Sequence, residues 1–347
     1  MTQKKIAGML NVSVATVSLA LRDSSRVKEE TKGKIKELAR LTKYRPNLTA
    51  HSLLTGKTHM VGIISGLFSD PFHAELNDEM YHYLKKKNYA GMFIPIETPE
   101  EYQGAIETAL SRKVDGLISV VEPNIEEVIM LKEEDVPVIF YQARGISSLP
   151  DYVGVDIYKG GYSATTHLIN SGSKKIGFIG MVAENEERFR GYRDALHQHN
   201  LPIKKEWIMP VPGHPGNKHR KMGYNGIKKI LSLKDRPTGI LAFNDMVAIG
   251  AMQAIIAGGL RVPKDIAIIG FDNLEESKYL SVPLTTVDIP RKRIAKQLVE
   301  MLLTKIENRD EKPPQKIIVE PKLIIRKSCG FHLKERGSNQ KGSDREK

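Results

Sequence analysis

The sequence predicts a small all-α headpiece, a hinge helix and a larger α/β core of two lobes with parallel sheets. In residues 1–45, two short helices are predicted to meet across a two-residue turn, which is helix-turn-helix spacing. From residue 60 onward, apolar runs of four to seven residues alternate with helix-length segments, a pattern typical of parallel sheets covered by helices. Residues 59–334 exceed a usual single core, so we expect two sheets.

The headpiece helices are predicted from their caps and apolar spacing. Thr2 can cap a first helix that runs to about Leu10, and Ser13 can cap the second, because a hydroxyl accepts a hydrogen bond from an orphan N–H of the first turn. The turn needs a residue that tolerates a positive φ, and Asn11 is of a type that does so at low cost. A third helix is predicted over about residues 29–43, where apolar residues recur at helical spacing.

Positive charge is concentrated in this N-terminal part. Lys and Arg number 12 in residues 1–58 and Asp and Glu number 4, so these residues carry +8 of the chain's net +12. A helix-turn-helix with such a charge is suited to neutralising DNA phosphates. The alternative is an ordinary helical bundle with a basic surface, which the motif and the charge together disfavour.

Motifs spread along nearly the whole chain match one known family. In the headpiece they are residues 12–21, Val27, 29–31 and 44–47. In the core they are residues 242–246, 259–273 and 283–287. With them the chain resembles the lac repressor/galactose repressor family of bacterial transcription regulators. The resemblance implies a core like that of periplasmic sugar-binding proteins.

The resemblance also implies how the headpiece contacts DNA. Val14, Ala15 and Leu19 of the second helix would face the major groove and offer mainly methyl contacts to thymine. Hydroxyl groups and basic side chains would then contact the backbone. The side chains expected to contact DNA are Thr2, Ser13, Val14, Ala15, Thr16, Ser18, Leu19, Arg22, Asn47 and Leu53.

Residues 46–58 form the predicted hinge. Asn47 can cap a short helix and Gly56 can end it. The resemblance implies that this helix forms only on DNA and that Leu53 wedges into the minor groove and kinks the site. The alternative is a linker that merely joins two domains, since so short a helix is marginal in water. Residues 55–58 end like a phosphate-binding loop, but His51 stands where that loop needs glycine.

In the core, the apolar runs and the segments between them predict the positions of strands and helices. The strands are at residues 60–65, 91–96, 116–121, 136–141, 175–180, 239–243 and 267–271. The helices are at residues 75–86, 99–112, 158–171, 186–199 and 245–257.

The resemblance implies that the chain crosses between the two lobes near residues 156, 289 and 322. The N-lobe would comprise about residues 59–156 and 290–321, and the C-lobe about residues 157–289 and 322–334. Residues 151–156 are interpreted as a crossing between the halves, and residues 335–347 as a disordered tail.

A crevice between the lobes is the expected ligand site, because open α/β sheets bind ligands at the carboxyl ends of their strands. Arg188 with Gly191 fits the family's Arg-x-x-Gly pattern, which implies that Arg188 hydrogen-bonds a small-molecule effector. Asn244 and Asp272 follow predicted strands and match two further polar contacts. Asp245 is predicted to cap the helix that it begins.

Three further residues complete the expected effector site. Phe72 and His73 fall where aromatic residues stack on the ligand in this family, although His73 could equally be a solvated side chain. Gln142 stands where several relatives have an ionised residue, so the kind of effector is left open between neutral and acidic molecules.

Other classes of protein find little support. The one cysteine, Cys329, cannot form an internal disulfide or a thiolate cluster, which suits a reducing cytosol. Neither a secretion signal nor an apolar run long enough for a membrane is found. No complete catalytic or dinucleotide motif occurs. The scattered histidines, such as His197, His199, His214 and His219, do not suggest a metal site, and we expect no enzyme activity and no cofactor.

We therefore predict a DNA-binding transcription regulator, a repressor of the bacterial cytoplasm that joins the nucleoid when bound. Its partners would be a palindromic double-stranded operator, a small-molecule effector of carbohydrate type and a second copy of the chain, because two-fold dimers read palindromic half-sites. Residues 335–347 hold no apolar residue for a leucine seam, which favours a dimer over a tetramer. The alternative is a cytosolic sugar-binding module without DNA function.

Overall fold

The computed structural model describes residues 2–21, 23–44, 56–134, 136–142, 151–212, 218–308 and 315–330. They fall into two units, Met1–Thr58 and His59–Lys347. Arg22, hinge residues 46–55 and the tail 335–347 lie outside the described residues. Among the described helices, none is by itself long and apolar enough to cross a membrane, although the first two pass that test as a pair bent by 107°.

The first unit contains the helices α1 (Gln3–Met9), α2 (Val14–Leu21) and α3 (Glu29–Leu41). The Thr2 hydroxyl accepts a hydrogen bond from the backbone N–H of Lys5 at 3.3 Å, and the Ser13 hydroxyl accepts one from that of Thr16 at 3.0 Å. Asn11 has a φ of 52° in the turn. Both predicted caps and the predicted left-handed turn are therefore confirmed.

The three helices close a small apolar core of their own. Ile6 of α1, Val17 and Ala20 of α2 and Ile35 of α3 are completely buried. At about 25 cal/mol per Å² of apolar surface, a core this small supplies only a modest stabilisation, so the caps and the turn matter to this unit.

The second unit contains two sets of secondary-structure elements that alternate along the chain. Its strands are β1 (Met60–Ser65), β2 (Ala90–Pro95), β3 (Gly116–Ser119), β4 (Val138–Tyr141), β5 (Tyr152–Val155), β6 (Ile176–Gly180), β7 (Ile208–Pro210), β8 (Gly239–Ala242), β9 (Ala267–Asp272), β10 (Thr285–Asp288), β11 (Lys316–Val319) and β12 (Lys322–Ile324). Its helices are α4 (Pro71–Lys86), α5 (Tyr102–Ser111), α6 (Ile125–Glu133), α7 (Ile157–Asn170), α8 (Glu187–Gln198), α9 (His219–Leu231), α10 (Asp245–Ala257) and α11 (Arg291–Glu307).

Two six-stranded sheets organise this unit. The N-lobe sheet has the strand order β11-β5-β4-β3-β1-β2, and its strands are parallel. The C-lobe sheet has the order β12-β10-β9-β8-β6-β7 and is parallel except for its edge strand β12. The predicted pair of parallel sheets is confirmed. Each of the seven predicted strands is present, with ends shifted by no more than two residues.

Within the described residues, the chain passes between the sheets after β5, after β10 and again between β11 and β12. After β10 it forms α11, which packs on β3, β4 and β5 of the N-lobe. The interpretation of residues 151–156 as a crossing is wrong in one respect, since Tyr152–Val155 forms β5 and the crossing follows it. The carboxyl ends of most strands in both sheets therefore face a shared cleft.

A buried carboxylate ties three segments of the C-lobe together at this edge. Asp245 is fully buried and accepts hydrogen bonds from the Leu274 backbone N–H at 2.8 Å, the Ser277 hydroxyl at 2.6 Å and the Thr286 hydroxyl at 2.5 Å. Burial raises the pKa of Asp245 to about 6 in spite of these donors.

This raised pKa predicts a pH dependence of stability. The folded protein holds the Asp245 proton up to about pH 6, whereas the unfolded chain releases it near 3.8, so the contribution of Asp245 is full below pH 3.8 and is lost as pH rises through 6. The wild type should therefore lose about 2 kcal/mol of its free energy of unfolding between pH 4 and 6, and Asp245→Asn should lack this decrease. Urea unfolding at a series of pH values measures this difference.

Asp265→Asn is the control for that titration. Asp265 is half-buried, and its hydrogen-bonded ion pair with Arg261 lowers its pKa to about 2, so its pKa lies below pH 4 in both the folded and the unfolded protein. This variant should leave the slope between pH 4 and 6 as in the wild type. An Asp245→Asn curve parallel to the wild type over the same range would contradict the buried, protonated carboxyl.

Candidate functional site

The outer surface of the headpiece combines small side chains with uncompensated positive charge. Val14 is 45% exposed and Ala15 is exposed, whereas Thr16, Ser18 and Leu19 are half-buried. Leu19 also packs against the headpiece core, so it serves stability as well as any contact with DNA. The expected contacts Arg22, Asn47 and Leu53 lie outside the described residues.

Ion pairs neutralise one part of this unit and leave another part basic. The acids Asp23, Glu29, Glu30 and Glu37 each pair with a basic side chain of α3. Among the described residues, Lys4 and Lys5 of α1 have no acidic partner, and both are exposed. The described basic side chains of the headpiece without an acidic partner therefore lie outside α3, where phosphates would neutralise them; they are Lys4, Lys5, Arg26, Lys28 and Lys43.

In the second unit, a cavity of about 200 Å³ opens where the strands of both sheets end. It is lined by all six side chains expected from the sequence to contact an effector, which are Phe72, His73, Gln142, Arg188, Asn244 and Asp272. The structure therefore brings together residues that are up to 200 positions apart in the chain. The volume suits a small ligand.

Arg188 is held between two aromatic rings at the wall of the cavity. It is 6% exposed, and its guanidinium carbon lies 4.3 Å from the centre of the Phe243 ring and 4.1 Å from that of Phe271. Such stacking fixes the plane of the guanidinium and leaves its edges for hydrogen bonds. A rigid arginine of this kind suits recognition of polar substituents.

Close packing of α7 against α8 explains the Arg-x-x-Gly pattern. A Cβ atom on Gly191 would lie 2.4 Å from the Tyr158 carbonyl oxygen, and one on Gly161 would lie 2.4 Å from the Arg188 carbonyl oxygen. Only glycine at both positions lets the backbones approach so closely. The glycines thus set how far Arg188 reaches into the cavity.

Asp272 ends β9 in an unusual backbone conformation. Its φ is 107° and that of the next residue, Asn273, is 55°, and left-handed conformations in non-glycine residues are a common form of strain at functional sites. The carboxyl is 8% exposed. Burial raises the pKa of Asp272 well above its usual range, the charge of Asp245 raises it further, and Arg188 acts in the opposite direction.

Asn244 has a structural task beside its place at the cavity. Its side-chain oxygen accepts from the Val247 backbone N–H at 2.9 Å, so Asn244 caps α10 and the prediction that Asp245 caps it is wrong. With the amide oriented by that bond, its nitrogen donates to Nδ1 of His219 at 3.1 Å. A neutral His219 ring then carries its proton on Nε2.

Phe72 and His73 lie in the first turn of α4, opposite the C-lobe residues. The His73 Nδ1 accepts a hydrogen bond from the Gly66 backbone N–H at 3.3 Å, and the side chain is half-buried. The Phe72 ring lies 6.1 Å from that of Tyr141. Gln142 follows β4 with a φ of 60°.

Sequence reasoning missed several residues of this cavity. His219, taken as one of the scattered histidines, is 5% exposed, and its Nδ1 lies 3.8 Å from Asp70 across the cleft, too far for a hydrogen bond. Asp70 caps α4 by accepting from the Phe72 backbone N–H at 2.9 Å. The Asp-Pro pair before α4 was the available signal for Asp70. For His219, the first residue of α9, the sequence offered none.

The arrangement is one for binding. Aromatic rings supply apolar faces, and a guanidinium, carboxyl groups, amides and imidazoles supply fixed polar contacts. Among the described residues, no three His, Cys, Asp or Glu side chains are grouped to hold a metal ion.

Comparison with known proteins agrees with both units. The family described as bacterial regulatory proteins, lacI family, matches residues 2–47, and the periplasmic binding protein-like domain matches residues 165–329. The chain is 32% identical over 334 residues to the HTH-type transcriptional repressor PurR of Aliivibrio salmonicida (strain LFI1238), which covers 94% of this chain and 98% of that protein.

Two solved structures share the fold over almost their whole length. The lac repressor dimer bound to operator and the anti-inducer ONPF is matched with a TM-score of 0.80 at 21% identity, over 95% of this chain and 99% of that one. The complex of the transcriptional regulator CelR with cellobiose is matched with a TM-score of 0.69 at 22% identity, over 94% of this chain and 99% of that one.

The packing at α7 and α8 generates a prediction. In Gly191→Ala, the new methyl group would meet backbone atoms that cannot move aside singly, so α8 should shift and unfolding should become easier by roughly 1–3 kcal/mol. Gly104→Ala in α5 is the matched control, because no atom lies within 4 Å of that Cβ and alanine favours a helix. It should stabilise by up to about 1 kcal/mol. Urea denaturation of both variants tests this, and equal effects would contradict the packing argument.

Proposed function

The chain belongs to the lacI family of bacterial regulatory proteins and is a DNA-binding transcriptional repressor; we propose that a small polar molecule of carbohydrate type binds in the cleft of its core and sets its affinity for DNA. The observation that carries the proposal is that the six expected effector residues line one cavity. Linkage requires only that the ligand bind one arrangement of the two lobes better than another.

The chemistry of the cavity favours an uncharged, hydroxylated ligand over an acidic one. Asp70, Glu122 and Asp272 bring carboxyl groups to its lining, whereas Arg188 brings the guanidinium. A phosphate or carboxylate would therefore meet the carboxyl groups of Asp70 and Glu122 against a single guanidinium, even with Asp272 protonated. Hydroxyl groups can instead accept from Arg188 and donate to the carboxyl groups, while aromatic rings cover the apolar face of a sugar ring.

Two copies of the chain would act together on a palindromic operator. A single helix-turn-helix contacts few bases, and a two-fold dimer reads two half-sites at once. The lac repressor, whose fold this chain shares, was solved as a dimer on its operator. In the hinge, outside the described residues, Leu53 would add a wedge in the minor groove that bends the site.

DNA binding is tested by filter binding of genomic fragments at increasing salt. Affinity should fall by roughly 10³-fold between 50 and 200 mM salt if about six phosphates are neutralised. Replacing Lys4 and Lys5 by alanine should lower the slope of log affinity against log salt by about one to two. The double variant Lys34→Ala, Lys36→Ala removes as much charge from paired side chains of α3 and should lower the slope less.

Failure of the wild type to retain any fragment at 50 mM salt would favour the sugar-binding module without DNA function. Equal slopes for the two double variants would place the phosphate contacts elsewhere on the headpiece.

The effector site is tested by a thermal-shift screen of neutral and phosphorylated carbohydrates, because a ligand of the folded state raises the melting temperature. A neutral sugar should give the largest shift. Arg188→Ala and Asp272→Ala should then weaken its affinity about 100-fold, the effect of roughly 3 kcal/mol from losing a buried hydrogen-bonding group. Operator binding without sugar should stay near that of the wild type.

Arg190→Ala is the matched control for these variants, since Arg190 lies on the same helix and is exposed. Calorimetry and operator titration on the same preparations give both affinities. If Arg188→Ala lost DNA binding but took up the sugar normally, these residues would belong to the fold rather than to the effector site.

A further inference from the structure

Arg291, the first residue of α11, contacts both lobes at the second crossing of the chain. Its side chain is 12% exposed, and its Nε lies 2.8 Å from the Glu75 carboxylate on α4 of the N-lobe. In the other direction its Nη2 donates to the Asn273 carbonyl at 3.0 Å, and its Nη1 donates to the Asp272 carbonyl. One guanidinium thus joins α4 to the end of β9.

These contacts use the particular shape of the arginine side chain. The guanidinium is a rigid planar fork, so donors on its different edges can serve a carboxylate and two carbonyl groups at the same time. A lysine ammonium has a single centre of charge and cannot span the same partners. The position therefore calls for arginine rather than for positive charge alone.

Two of the C-lobe partners of Arg291 form a turn with positive φ. Asp272 has a φ of 107° and Asn273 one of 55°, and the conformation of Asp272 persists only where surrounding contacts enforce it. Donation to both carbonyl groups by one fixed side chain is such a contact. It holds the turn that aims the Asp272 carboxyl at the cavity.

The N-lobe partner of Arg291 lies on the helix that carries Phe72 of the cavity lining. Glu75 lies one helical turn after Phe72 on α4, and the Arg291 guanidinium carbon is 5.9 Å from the centre of the Phe72 ring. Arg291 therefore contacts two elements that contribute to the cavity lining, α4 with Phe72 and the end of β9 with Asp272.

We propose that Arg291 is a positioning residue, which fixes the Asp272 carboxyl and the angle between the lobes by binding Glu75 and the 272–273 backbone at once. The proposal rests on the proposed function, because it gives Asp272 its task in the effector site. The angle between the lobes would thus be set by a side chain that lies outside the cavity lining. An ordinary stabilising ion pair would affect global stability without a particular effect on lobe angle.

The experiment measures the lobe angle and the 272–273 turn separately from global stability. Spin labels at Thr108→Cys of the N-lobe and Lys264→Cys of the C-lobe report the distance between lobes in full-length protein, diluted with unlabelled chain so that one labelled copy is measured. Both positions are exposed, and Cys329 is buried and escapes labelling. Hydrogen exchange of residues 270–278 reports on the turn, and urea unfolding gives the global free energy.

Arg291→Ala should broaden the distance distribution and speed exchange in residues 270–278 by about tenfold or more, the effect of losing roughly one charge-assisted hydrogen bond. Arg291→Lys should fall between this variant and the wild type. Glu75→Gln should broaden the distances and leave exchange in residues 270–278 nearly unchanged, because it releases only the N-lobe side. Arg293→Ala removes an exposed arginine two positions further on and should match the wild type in both readouts.

Distances and exchange in Arg291→Ala equal to those of Arg293→Ala would overturn the proposal, as would an effect confined to global unfolding. If Arg291→Ala does not fold, Arg291→Lys and Glu75→Gln decide the matter by the same readouts. Fragment retention by the wild-type protein is measured alongside. A loss there speaks against the proposed function, whereas unchanged lobe distances with intact DNA binding speak only against the task of Arg291.

Discussion

The cleft edge of the C-lobe depends on one buried carboxylate. Asp245 binds the backbone after β9 and hydroxyl groups on two other segments, so β10 and the segment after β9 keep a fixed relation to α10. The neighbouring strand makes room for it, since a Cβ atom on Gly270 would lie 2.2 Å from Asp245 Oδ1. Asp272, which lines the cavity, lies two residues before Leu274, so hydrogen bonds from Arg291 and to Asp245 restrain the backbone around it.

Much of the fold could be predicted from local sequence patterns. The headpiece caps at Thr2 and Ser13 and the turn at Asn11 depend on contacts within four residues, so the sequence contains all that determines them. The seven predicted strands are mostly apolar, which makes them visible as runs, and all but the half-buried β2 are buried along almost their whole length. The strand-end rule placed Asn244 and Asp272, whereas Arg188, Phe72 and His73 needed the family resemblance.

The strands and site residues that could not be predicted depend on partners far away in the sequence. The strands β5, β7, β10, β11 and β12 were not predicted. Each has only three or four residues with a charged residue or proline at or beside its ends, and most are defined by neighbours far along the chain. His219 and Arg291 look like ordinary polar residues at helix starts. Their roles depend on contacts that form only in the packed lobes. His219 contacts Asn244, and Arg291 contacts Glu75 and the backbone of residues 272–273.

The three passages of the chain between the sheets also govern how the core is made. The N-lobe sheet lacks its covering helix α11 and its edge strand β11 until the C-lobe has been synthesised, and the C-lobe sheet lacks β12 until residue 324. On the ribosome, neither lobe can therefore finish folding before nearly the whole core has emerged. Until then the apolar surfaces awaiting α11 stay open to other chains, so this protein has reason to engage chaperones during its synthesis.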